Sequence, residues 1–300
     1  MSNSNHFGEC KLCFKHSELQ ESHIIPKFVG KWLKKTSSSG RIRNAVNPNV
    51  RIQDLSKEHL LCKECEQRFA IFEKRFAEQI FHPFHSENKK LFHYDKWLQK
   101  FIISLNWRVA ISGINNMIPE GHDSFKELEN TLETWRLFLL DQIDSPGSNK
   151  NHLIFVGITD LTDFNKIQPA PYNHFTNMRF LRSVFFGTVN DEHNRTFIYS
   201  SLGGIVFVSH IHPKSFIGWT NQTKVTKRGT LKTLQNNSDL LFGTFLGSLM
   251  ARIDSHISNN ISEKQNEIIN RGILDDINKS LKSKSLGLIG QLSKQDQFSK

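Results

Sequence analysis

Four cysteines in two close pairs constrain this chain more than any other feature. Cys10-Lys11-Leu12-Cys13 and Cys62-Lys63-Glu64-Cys65 are each C-x2-C, with 48 residues between Cys13 and Cys62. Such a turn brings two thiolates to one ion at about 2.3 Å, and two turns complete a tetrahedron. A shell of four thiolates leaves no open position, so the expected zinc is structural, and its removal unfolds the module it holds. The polar start, Met1-Ser2-Asn3-Ser4-Asn5-His6, lacks the regions of a signal peptide, and no apolar run approaches the roughly 20 residues of a membrane span. These features predict a cytoplasmic protein without a membrane partner, where paired cysteines serve metals more readily than disulfides.

The second pair opens a run with Phe69, Phe72, Phe76 and Ile80 on one helical face, so Cys62 and Cys65 are expected at a helix N-terminus. A metal knuckle, then strands, then a helix bearing the last two ligands is the arrangement called a treble clef. Between the pairs, Pro26 forces Ile25 towards extended geometry, and Leu19 to Pro26 reads as a strand with His23 and Ile25 on one side and Ser22 and Ile24 on the other. His23-Ile24-Ile25-Pro26 followed by Leu60-Leu61-Cys62-Lys63-Glu64-Cys65 resembles the HNH endonuclease family over about residues 8–85.

The resemblance implies a zinc-stabilised ββα-metal element in which His23 is the general base that activates water against a phosphodiester. An imidazole suits that task because its ordinary pKa near 6.5 lets it accept a proton at neutral pH. It also implies a catalytic Mg2+ or Mn2+ that stabilises the leaving oxygen. Two positions depart from the family pattern. Ser22 stands where an Asp or His commonly helps hold that ion, and Glu66 stands where a His or Asn commonly follows the last cysteine. Glu66 is the expected substitute ligand, with Glu21 or Asp54 as helpers. The Asn that orients the base has three candidates, Asn44, Asn47 and Asn49.

Charge agrees with a polyanionic partner. The first hundred residues hold 18 Lys and Arg against 11 Asp and Glu, and the whole chain is +10. From Ser22 to Gln53 there are Lys27, Lys31, Lys34, Lys35, Arg41, Arg43 and Arg51 and no acid. Such a stretch favours nucleic acid, because each neutralised phosphate releases counterions. His16, His59, His82 and His85 read as surface or packing residues.

Beyond the module the texture changes twice. A helix is expected from Leu91, with Trp97, Phe101, Ile102, Leu105 and Val109 inward and Gly113 and Pro119 ending it. A second is expected from Ser124, with Phe125, Leu128, Leu132, Trp135 and Leu139 inward, stopped at Pro146-Gly147. Short β-rich runs at 152–158, 178–189, 196–200 and 205–209 predict a small, mostly antiparallel sheet. A long helix is expected over 238–275, with Leu241, Phe245, Leu249, Ile253 and Ile257 on its inner face. The expected class is α+β, with a zinc module at 1–88, a second domain at 89–278 and a basic tail at 279–300. Three functions are compatible with this pattern. The first is a metal-dependent double-stranded DNA endonuclease, of a kind common in mobile elements and anti-phage defence. The others are an inactive nucleic-acid-binding module and a structural partner that docks through its C-terminal half.

Overall fold

The computed structural model describes residues 6–117, 123–156 and 180–274. The chain begins with β1 (Phe7–Glu9), turns through the first cysteine pair, and returns as β2 (His16–His23). Phe14 takes a positive φ of 61° in that turn, and its amide reaches the Cys10 carbonyl at 2.8 Å. Next come α1 (Lys27–Thr36), a two-residue ribbon of β3 (Ile42–Arg43) and β4 (Arg51–Ile52), β5 (Lys57–Cys62) and α2 (Lys63–Phe76). A π-helical turn at Ala77–Phe81 leads into α3 (His82–Ser86). Strands β1, β2 and β5 form one antiparallel sheet, in that order.

The sheet slips register between Gln20 and Glu21, which leaves Leu60 as an extra residue on β5. The Leu60 carbonyl, released from the ladder, accepts from the Lys11 amide at 2.9 Å and so ties the first cysteine turn to β5. The expected alternation of Ser22 to Ile25 does not run to the proline. The strand ends at His23, the chain bends, and both Ile24 and Ile25 are buried before Pro26, the N-cap of α1. Part of the basic stretch is helical. Val29, Trp32 and Leu33 give α1 an inner face, while Lys27, Lys31 and Lys35 stay in solvent.

β6 (Leu91–Tyr94), α4 (Lys96–Met117), α5 (Asp123–Leu139) and β7 (Asn151–Phe155) follow. Leu91 opens a strand rather than a helix: it pairs with β11 (Gly229–Lys232), a partner remote in sequence that local periodicity does not reveal. Helix α4 then buries Trp97, Phe101, Ile102, Leu105 and Val109 as expected, and it continues past Gly113 to Met117. Pro119 lies outside the described residues, as do 158 and 178, the outer ends of two expected strand runs.

β7, β8 (Val184–Asn190), β9 (Thr196–Leu202) and β10 (Ile205–His212) form an antiparallel sheet ordered β7-β10-β9-β8. Every residue of β9 is buried, because helices cover both faces. Leu153, Ile198, Leu202, Ile205 and Phe207 face α4 and α5, in the same cluster as Val29, Phe69 and Phe76 of the cysteine module. Phe197, Tyr199, Val206 and Val208 face α6 (Leu240–Asn260). The expected long helix is thus two, α6 and α7 (Glu263–Leu274), broken at Ile261-Ser262. Phe245, Leu249 and Ile253 of the expected face do pack against this core, but the most deeply buried residues of α6 are Phe242, Leu246 and Met250, and Leu241 is 41% exposed. The segment 279–300 lies outside the described residues. The architecture is mixed α and β, with small antiparallel sheets, and its core is continuous across residue 88.

Candidate functional site

Both cysteine pairs are presented by turns that the local sequence enforces. Cys10 and Cys13 lie in the turn that the left-handed Phe14 closes, while Cys62 ends β5 as the N-cap of α2 and Cys65 lies in the first helical turn. One ligand atom from each of Cys10, Cys13, Cys62 and Cys65 lies within 4.8 Å of the others. Cys13 Sγ and Cys62 Sγ are 3.8 Å apart. A tetrahedral zinc with 2.3 Å bonds requires sulfur–sulfur edges of roughly 3.8 Å, so the quartet fits such an ion. The Cys65 thiol, hydrogen-bonded to Cys10, is the main cause that draws the Cys10 pKa down to about 4, against burial. Burial pushes Cys62 up to about 11, and the Cys10 contact followed by burial raises Cys65. One thiolate is thus favoured and its neighbours resist ionisation, a conflict that a central cation relieves. Lys15, Arg68 and Arg136 line the cleft beside Cys13, Cys62 and Cys65, and Arg136 donates to the Leu12 carbonyl at 3.0 Å.

At the other end of β2, His23 Nε2 lies 3.0 Å from Asp54 Oδ2. The His23 carbonyl accepts from Arg108 Nη1 at 2.7 Å, and Arg108 Nη2 meets Glu73 Oε1 at 2.6 Å. Arg108 is 1% exposed, so a buried guanidinium, paired with the partly buried Glu73, clamps the backbone of this histidine from α4. Burial works to raise the Asp54 pKa, but hydrogen bonds from His23, Lys57 and the Leu55 amide outweigh it and hold the carboxyl at about 2. Asp54 is therefore the group that orients His23. Asp54, expected as a helper for a metal, thus takes the orienting place expected of an asparagine. Asn44 and Asn47 instead bond to the amides of their own turn. Asn49 donates to the Asn260 carbonyl at 2.7 Å and accepts from the Ser262 amide at 2.9 Å.

The remaining sequence candidates are scattered around this centre. Ser22 is fully buried, with its hydroxyl 3.4 Å from the Gln20 carbonyl. Glu66 is half-buried in the first turn of α2, and its Oε1 has no hydrogen-bond partner among the described residues. Cys62 pairs with Leu19 and Lys57 with His23, so Glu66 belongs to the cysteine end of the sheet and His23 to the opposite end. Among the described residues, the cysteine quartet is the one group of three or more His, Cys, Asp and Glu side chains whose ligand atoms converge. His23, Glu66, Glu21 and Asp54 thus do not offer a ready three-ligand site for Mg2+ or Mn2+.

The basic residues lie on one continuous segment beside His23. Lys27, Lys31, Lys34 and Lys35 are on α1, and Lys34 Nζ reaches the Gln53 carbonyl at 2.8 Å, next to Asp54. Arg41, Arg43 and Arg51 belong to the β3–β4 ribbon and its approach, where burial and then the Arg41 charge lower the Arg43 pKa. His82 and His85 pack against Phe81, and His59 stacks on His6 at 3.8 Å, in keeping with packing roles. No helix among the described residues is long and apolar enough to cross a membrane. No family model, curated protein or solved structure matches the chain.

Proposed function

We propose that residues 8–85 form a treble-clef, HNH-like module that hydrolyses phosphodiester bonds in DNA, with His23 as general base and zinc as the structural ion. The observation that carries this reading is the His23–Asp54 pair, 3.0 Å apart at the end of β2. A carboxylate on one ring nitrogen fixes the imidazole and leaves the other nitrogen to take a proton from water. The base stands beside α1, whose exposed lysines supply the charge that attracts a nucleic-acid backbone. The four cysteines hold the sheet and helix in register, and helix α4 supports the site through Arg108. A cytoplasmic role in mobile-element or defence biology suits such an activity.

A second reading, a nucleic-acid-binding module without cleavage, is favoured by the buried Ser22 and by the lack of a converging divalent-ion site among the described residues. The two separate in one experiment on the full chain with bound zinc. Supercoiled plasmid is incubated with Mg2+ and with Mn2+ while binding to the same DNA is followed across a salt series. Cleavage supports the nuclease. Salt-sensitive binding with intact plasmid in every metal supports the binding module, and neither binding nor cleavage sinks both.

A further inference from the structure

Lys57 stands directly across the β2–β5 pair from His23. Its Nζ lies 3.1 Å from Asp54 Oδ2 and 3.2 Å from Glu21 Oε2. Asp54 Oδ2 is also the atom that His23 Nε2 meets, so base and ammonium share one carboxylate oxygen. Hydrogen bonds to Asp54 and then to Glu21 raise the Lys57 pKa and keep it charged. Asp54 and Glu21, the two carboxylates expected to help hold an ion beside His23, thus already face a cation, and Ser22, the neighbour of His23 in sequence, is turned into the core.

We infer that Lys57 supplies the positive charge a phosphodiester meets beside His23, so that hydrolysis at this site needs no added divalent ion. The inference rests on the nuclease reading above and replaces its catalytic metal. An ammonium has three N–H donors. Two face Asp54 and Glu21, and the third is available to a non-bridging phosphate oxygen. Glu21 is 62% exposed, so its pairing with Lys57 is screened by solvent and yields readily to a phosphate. The Asp54 contact keeps the ammonium in place during that exchange. His23 takes a proton from water, the water oxygen bonds to phosphorus, and the bond from phosphorus to the leaving oxygen breaks. That oxygen takes its proton from solvent. Lys57 balances the charge that grows on the non-bridging oxygens, a task a metal ion performs elsewhere.

The test uses the full chain in buffer freed of divalent ions by chelating resin, with bound zinc measured before and after. The substrates are supercoiled plasmid and bis(4-nitrophenyl) phosphate, whose leaving group needs no protonation. Titrating Mg2+ or Mn2+ from none to millimolar should change the wild-type rate by less than about twofold. Lys57→Met should lower kcat by about 100-fold with little change in KM. Lys57→Arg should stay within about tenfold of wild type, because a guanidinium retains the charge. If Lys57→Met loses zinc or helical signal, the wild-type metal titration and Lys57→Arg decide. Hydrolysis that appears only with a divalent ion, and vanishes in His23→Ala, overturns the role of Lys57 while the nuclease reading stands. A fully active Lys57→Met does the same. No hydrolysis under any metal condition overturns both.

Discussion

At the residue scale, one hydrogen bond decides what His23 can do. With Nε2 turned to Asp54, the opposite ring nitrogen is the one left to accept a proton. Asp54→Asn preserves size but removes the charge that orients and stabilises the imidazolium. It should lower cleavage by about 100-fold while leaving zinc content unchanged, as single-turnover rates beside metal analysis would show. Unchanged cleavage would mean that the pair is structural. The cysteines were legible in the sequence because their spacing is itself the chemistry. Asp54 as orienter was not, because it lies 31 residues from His23 and reaches it only through the return of β5. Lys57 was hidden for the same reason, since cross-strand neighbours depend on a register that a bulge at Gln20/Glu21 shifts.

At the element scale, Arg108 joins three pieces of chain. From α4 it grips the His23 carbonyl of β2 and Glu73 of α2, with its guanidinium 5.3 Å from the centre of the Phe69 ring. Arg108→Met strands the partly buried Glu73 and the His23 carbonyl, so it should cost about 2–3 kcal/mol in a denaturant titration. A cost below about 1 kcal/mol would show that the clamp carries little. The acid-free stretch that contains α1 is dominated by its lysines and arginines. Yet Phe28, Val29, Trp32 and Leu33 already carried a helical stripe. Helix α2 was recovered because Phe69 and Phe76 repeat at helical spacing on one buried face. The break between α6 and α7 sits where Asn49 of the β3–β4 turn holds Asn260 and Ser262, a contact across more than 200 positions that local pattern cannot reveal.

At the scale of the whole molecule, the cysteine module and the C-terminal half share one core, which joins Phe76 to Phe101 and Phe207. Loss of zinc should therefore be felt well beyond the module. Chelation is expected to lower the melting temperature of the full chain, with metal release and unfolding coinciding; release without destabilisation would contradict a structural ion. The second half carries its own pH sensitivity. Burial lowers the pKa of His152 to about 3 and of His210 to about 2, so both are neutral in the fold. The unfolded chain binds protons at these sites below about pH 6.5, and stability should fall as pH drops below that value. Each histidine contributes on the order of 1 kcal/mol per pH unit until its folded pKa is reached. Denaturant midpoints at pH 7.5 and 5.5 would measure the slope, and His152→Phe should roughly halve it. An unchanged slope would place the sensitivity elsewhere.

The measurement that bears most directly on the proposed activity is plasmid cleavage by the wild type beside a His23→Ala variant with matched zinc content. Cleavage by the wild type that the variant loses is the expected result. Equal cleavage by both would remove His23 as the base and contradict the proposal.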